Sequence, residues 1–187
     1  MASLKKVLKK KKYSKIKLRK KETHHLELTA KINGIKGTFI LDTGASNSCV
    51  GLDLVNRFKL VSQESEVKAA GAGAIDIETR VSKNNVLKIG KWKTTKSNLV
   101  LFDLVHVNTA LIQHDATEVD GIIGADILES GKALIDYDKG VLYLKKINEK
   151  RLKKLAEKAA KKQQKIARKI AKKIARKNEG NLSKVPF

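Results

Sequence analysis

Thr38-Phe39-Ile40-Leu41-Asp42-Thr43-Gly44-Ala45-Ser46-Asn47-Ser48-Cys49-Val50 is the stretch on which the fold turns. Its apolar run, Phe39-Ile40-Leu41, has the composition of a buried strand. The run stops at an acid, Asp42, and continues through a hydroxyl, a glycine and a small residue, Thr43-Gly44-Ala45. A carboxylate at the end of a buried strand is held by rigid structure, and small residues after it let another backbone come close. One carboxylate is thereby presented in a partly desolvated place, where its proton affinity can be tuned. Taken alone, Asp-Thr-Gly reads equally well as an ordinary turn, because all three residues suit turns.

A second stretch, about 80 residues further on, shifts that balance: Val119-Asp120-Gly121-Ile122-Ile123-Gly124-Ala125-Asp126-Ile127-Leu128. Two bulky apolar residues precede Gly124, which leads into a short helical pattern over 125–130. A hairpin pattern follows, Leu134-Ile135-Asp136-Tyr137-Asp138-Lys139-Gly140-Val141-Leu142-Tyr143-Leu144. Motif, order, spacing and closing hairpin together resemble the retropepsin-like aspartic proteases (the single-domain members of clan AA), over roughly residues 14–145.

That resemblance implies an all-β acid-protease barrel with one or two short helices. It makes Asp42 the catalytic acid. It has Thr43 hydrogen-bond across a dimer axis beneath the acids, Gly44 run beside the substrate, and Ala45 shape the wall next to it. Ile122, Ile123 and Gly124 are expected to pack beneath the loop, with Asp126 fixing the helix. The chemistry needs two carboxylates sharing one proton, and the chain has a single Asp-Thr-Gly. A complete site therefore implies a homodimer with two-fold symmetry, the commonest kind of oligomer, acting on a protein or peptide substrate without metal or cofactor. Retroviral members usually continue the motif into acids that grip substrate backbone. Here Ser46 and Asn47 follow, so viral substrate preference does not transfer.

Other segments read as follows. Tyr13–Leu18 and His25–Ile32 alternate as half-buried strands do, with Lys20-Lys21-Glu22-Thr23 as a turn between them. Asn33-Gly34 signals a hairpin whose return strand, 35–41, delivers Asp42. Leu52–Phe58 has helical spacing, with Leu54, Val55 and Phe58 on one face. Gly71-Ala72-Gly73, inside 67–77, reads as the tip of the family's substrate-covering flap, against a plain glycine-rich turn. Residues 86–89 and 96–102 are strands, and Trp92 is a packing residue. The segment 103–118 gives no clear pattern, and Asp120 reads as a turn or capping acid. His24 and His25 would face opposite sides of a strand, which argues against a shared metal. Cys49, the one cysteine, excludes an intrachain disulfide and reads as a small buried hydrophobe.

The net charge of +22 sits at the two ends. Residues 1–21 carry about 11 Lys/Arg and no acid, residues 145–187 about 17 basic and 3 acidic side chains, and the middle is close to neutral. Three parts follow: a basic N-terminal arm, 1–12, in which Leu4, Val7 and Leu8 give a weak helical face but which is expected to be a disordered solvated tail; a protease domain, 13–146; and a basic amphipathic helical tail, 147–187. The tails point to nucleic acid, an acidic membrane surface or a partner helix, against simple solvation. Scarce aromatics leave phosphates as the nucleic-acid target. The junctions near Lys12 and Asn148 are candidate self-cleavage sites. No stretch is apolar enough to span a bilayer and no secretory signal is visible, so a cytoplasmic location is expected. The functional expectation is an aspartic endopeptidase; its rival is a catalytically silent module of the same fold with nucleic-acid-binding tails.

Overall fold

A computed structural model describes residues 4–65, 69–71, 74–77, 79–146 and 163–164 of the 187. The chain divides into two compact units, Met1–Ile147 and Asn148–Phe187. The expected C-terminal helix lies outside the described residues, apart from a helical assignment at 163–164.

In chain order the first unit contains α1 (Leu4–Lys10), β1 (Tyr13–Lys17), β2 (Arg19–Lys20), β3 (Leu26–Ile32), β4 (Ile35–Leu41) and β5 (Cys49–Gly51). A 3-10 turn follows at Leu52–Leu54. Then come β6 (Gln63–Glu64), β7 (Ala69–Gly71), β8 (Ala74–Ile77), β9 (Arg80–Ile89), β10 (Trp92–Phe102), α2 (Val105–Gln113), β11 (Gly121–Ile123), α3 (Ala125–Ser130), β12 (Leu134–Asp136) and β13 (Val141–Lys145). The domain is mostly β. The main sheet runs β2-β3-β4-β11-β5-β10-β9-β6, and an additional β3–β9 pairing closes it into a barrel.

Sequence explains the closure locally. Asn33 and Gly34 take φ of 48° and 91°, as a two-residue hairpin turn with positive φ at both positions requires. Leu26, Leu28, Ala30 and Ile32 alternate inward on β3. They meet Phe39 and Leu41 of β4, and Leu87, Ile89, Trp92, Leu99 and Leu101 of the β9–β10 hairpin, in one core. Glu27, on the opposite face of β3, is also buried. It is held by Arg19 at 3.6 Å, Lys21 at 3.6 Å and the His25 ring at 3.2 Å, so its charge is compensated.

The domain 13–146 carries two short α-helices, α2 and α3, within the one or two expected, and α2 occupies the segment 103–118 that showed no clear pattern. Three expectations need correction. Residues 52–58 form one 3-10 turn followed by turns rather than a helix; Lys59, at φ 52°, breaks the path, and Leu60 N donates back to the Val55 carbonyl. The N-terminal arm is helical over Leu4–Lys10, and Leu8 is buried against Val141, Tyr143 and Tyr13. Its junction at Lys12 is exposed but tied down: Lys146 N donates to the Lys12 carbonyl at 3.0 Å, and β1 begins at Tyr13 as the antiparallel neighbour of β13. A second, three-stranded sheet, β1-β13-β12, results.

Candidate active site

The site is built where β4 and β11 run side by side. They pair in parallel, with Leu41 opposite Ile123 and Ile40 opposite Ile122. Ile122 also pairs with Cys49 of β5, so β11 threads between the strand that enters the Asp42 loop and the strand that leaves it. Gly121 is required there, because a Cβ would lie 2.1 Å from the Cys49 carbonyl oxygen. Beyond the last pair, Asp42 N donates to the Ile123 carbonyl at 3.1 Å. The acid is thus fixed to the end of two buried strands.

Asp42 is half-buried, whereas Thr43 and Gly44 are exposed. Gly44 N donates to Asp42 Oδ1 at 2.7 Å, a backbone bond that orients the carboxylate. Among the described residues no second acid approaches Asp42 through a hydrogen bond. The two other acids of the neighbourhood are committed. Asp120 accepts from Thr38 N at 2.7 Å and pairs with Arg57, which also reaches the Lys36 carbonyl. It holds the start of β4 to the start of β11.

Asp126 is committed more fully. Its Oδ1 accepts from Ser48 N at 3.0 Å, from the Ser48 hydroxyl at 2.6 Å and from Ile127 N at 2.8 Å. The Ser48 oxygen in turn accepts from Gly124 N at 2.9 Å. Two backbone bonds run alongside, Ala125 N to the Ala45 carbonyl at 2.8 Å and Asp126 N to the Ser46 carbonyl at 3.2 Å. The first turn of α3 is therefore capped by the Asp42 loop itself. Gly124 permits this approach: a Cβ there would stand 2.7 Å from the Ala45 oxygen and 2.8 Å from Asn47.

Ser48 is the residue that sequence reasoning passed over. It is completely buried and joins the loop to α3. The available signal was a hydroxyl just before the apolar pair Cys49-Val50, where a strand would otherwise begin. Next to it, the Cys49 thiol is pushed up to about 12, chiefly by burial and further by the charges of Asp126 and Asp42, against a lowering backbone hydrogen bond at Ile122. It stays protonated and packs as an apolar group.

The candidate flap has a backbone pairing, Gly71 opposite Ala74 in a separate two-stranded sheet; Ala72 and Gly73, its tip, lie outside the described residues. A cleft between the 3-10 turn and α2, lined by Leu52, Asp53, Leu54, Asp103, Val105 and Ile112 among others, includes no residue of the Asp42 loop.

A closed β-barrel carrying one Asp-Thr-Gly loop over a β11–α3 support defines the retropepsin-like class of aspartic proteases. A family model described as aspartyl protease matches residues 28–127, and the chain belongs to that family. Among solved structures it is similar to a retropepsin-like aspartic protease from Rickettsia conorii, at 20% identity and TM-score 0.49 over 71% of this chain and 90% of that one. It is similar also to the EIAV protease complexed with the inhibitor HBY-793, at 21% identity and TM-score 0.45 over 59% and 90%. A third is the retroviral protease-like domain of Ddi1 from Leishmania major, at 15% identity and TM-score 0.45 over 66% and 90%. No curated protein matches the chain significantly.

Proposed function

We propose that this protein is an aspartic endopeptidase, active as a homodimer in which each subunit contributes Asp42. The observation that carries this reading is the contrast in commitment among the acids at the site. Asp120 and Asp126 are spent on Arg57, Thr38 and Ser48. Asp42 keeps a carboxylate oriented by a single backbone donor, beside exposed Thr43 and Gly44. Exposure of the loop after the acid is what a two-fold interface across it needs.

In the dimer the two Asp42 carboxylates share one proton, because two charges a few ångströms apart in a desolvated cleft are too costly. The ionised member takes a proton from the water between them as that water attacks the peptide carbonyl carbon. The protonated member donates to the carbonyl oxygen, and the tetrahedral species collapses with proton transfer to the leaving amine. Thr43 contributes a bond across the axis, Gly44 lies along the substrate backbone, and Ala45 walls the cleft. Residues 71–73 cover the substrate. Ile122, Ile123, Gly124 and Asp126 keep the loop rigid. A cytoplasmic location belongs to the same proposal; among the described residues no helix is long and apolar enough to cross a membrane.

The test is cleavage of a mixed peptide library at acid and near-neutral pH by wild type and Asp42→Asn, with the oligomeric state measured in parallel. Cleavage lost in the variant and blocked by a statine-type transition-state mimic is the expected result. No cleavage at any pH from a protein shown to be dimeric would sink the reading and favour a silent binding module.

A further inference from the structure

The N-terminal arm is the part of the described molecule that peptide hydrolysis leaves unexplained. It is strongly basic, and it is folded onto the domain. Leu8, only 4% exposed, anchors α1 in a small cluster with Val141, Tyr143 and Tyr13. With Leu8 turned inward, helical geometry carries Lys6 and Lys10, each two positions from it along the chain, to the outer side; both are exposed, as is Lys9. Lys12, at φ 65°, turns the chain into β1, and the Lys146 N–H bond to its carbonyl brings the end of β13 alongside.

Strand register extends the same surface. Lys15 stands opposite Tyr143 and Lys17 opposite Val141. Directly opposed residues share a sheet face, so both lysines emerge on the face that carries α1. Lys145, opposite Tyr13, joins them. Counterions from the protein are few. No acid occurs in residues 1–21, and Asp136, in the row of Val141 and Lys17, is engaged by Lys139 at 3.5 Å. Arg19 and Lys21, by contrast, already neutralise buried Glu27. Like charges one helical turn apart, such as Lys6 and Lys10, repel, and a fold that holds them together gains by placing polyanionic phosphates over them.

We propose that α1 and the adjoining face of the β1-β13-β12 sheet form a sequence-independent binding surface for nucleic-acid phosphates. Phosphate contacts need only lysines on a firm support. Base readout or stacking would need exposed aromatic side chains, and on this face Tyr13 and Tyr143 are turned into the Leu8 cluster. A membrane surface is served less well, because a helix that lies in a bilayer inserts its apolar side, and Leu8 is used against the sheet.

The test is binding of a random-sequence DNA duplex to the full chain, titrated at several salt concentrations, for wild type and for a variant with Lys6, Lys9 and Lys10 all replaced by Gln. The tail 147–187 is present in both, so any difference belongs to the arm. Loss of three phosphate contacts predicts affinity lower by roughly 100-fold at 0.1 M salt, and a logarithmic salt slope shallower by about 3. A second variant, Leu8→Ser, keeps every charge but removes the anchor; affinity about tenfold weaker is expected if the lysines act as a folded face. No duplex binding by wild type, or equal binding by the Gln variant, overturns the proposal. So does wild-type affinity in Leu8→Ser, which would make the arm a loose polycation. Binding to phosphatidylserine vesicles without binding to duplex would overturn it in favour of a membrane surface.

Discussion

Two acids at the heart of this domain, Asp42 and Asp126, sit on either side of one loop and do opposite things with the same chemical group. Asp126 accepts three hydrogen bonds on one oxygen, from Ser48 twice and from Ile127. Asp42 accepts one, from Gly44 N, and its loop faces outward. A carboxylate saturated by fixed donors is a structural clamp, since its charge is already spent. A carboxylate with acceptor capacity left over, held at the end of two buried strands, is available for water and a second acid. Holding the loop and, as proposed, doing the chemistry are thus divided between two acids far apart in sequence: the clamp beneath keeps the loop rigid, and the acid above keeps acceptor capacity to spare.

The comparison breaks most sharply if the roles are exchanged. Asp42→Asn should abolish peptide cleavage, by about 10³-fold or more, as expected for loss of general acid–base catalysis, while the thermal midpoint stays within about 1 °C of wild type. A large loss of stability would show that Asp42 is a clamp like its neighbour.

Gly124→Ala should do the converse. The new Cβ would meet the Ala45 and Asn47 backbones at 2.7–2.8 Å, and backbone cannot yield as the tip of a side chain can. Overpacking of this kind costs roughly 3 kcal/mol, read in denaturant unfolding, with loss of activity following from the displaced loop. Unchanged stability would mean that the loop does not rest on α3.

Asp126→Asn comes next. An amide can keep only part of the triple acceptance and loses its charge-assisted strength, so a loss of about 2 kcal/mol is expected. Ser48→Ala should cost less than Asp126→Asn but couple to it: a double-mutant cycle should give an interaction of at least about 0.5 kcal/mol. Additivity would indicate two independent contacts instead of one clamp.

How much of this arrangement could be read beforehand depends on how local its causes are. The hairpin at Asn33-Gly34, the alternation along β3 and the opening of α3 at Gly124 follow from short-range rules, and sequence carried them. The Asp42 and Gly124 stretches could be matched because each is a contiguous motif. Ser48 could not, since its importance lies in a partner 78 positions away and a lone serine before a strand has many uses. Helix α2 was hidden for a different reason. Only Leu111 among its residues is buried, while Val105 and Ile112 face outward, so no apolar stripe marks it. Its local signals are Asp103, which bonds Val105 N at 2.8 Å, and Asn108, which holds Val119 through both its amide atoms. In the N-terminal arm the weak helical face of Leu4, Val7 and Leu8 was legible, but its docking was not, because Leu8 finds its partners on β13, far away in sequence.

The smallest effect at neutral pH should come from Cys49, which lies between the two acids in the electrostatic sense. Cys49→Ala removes a buried group of modest size, for about 1 kcal/mol. Its informative range is alkaline. The folded thiol is pushed up from 9.0 to about 12, mainly by burial. Folded protein therefore keeps this proton where unfolded protein has released it. The associated stability is fully present below about pH 9 and drains away as pH rises towards 12, up to about 4 kcal/mol in all. Unfolding free energies of wild type and Cys49→Ala measured from pH 7 to 11 should converge and then cross as the wild type loses this contribution, while thiol labelling of the native protein stays slow at neutral pH. Parallel curves would mean that Cys49 ionises as readily inside as out. The strand leaving the Asp42 loop would then be wetter than the clamp requires, and the line drawn between a reactive surface and a dry support would have to move below β5.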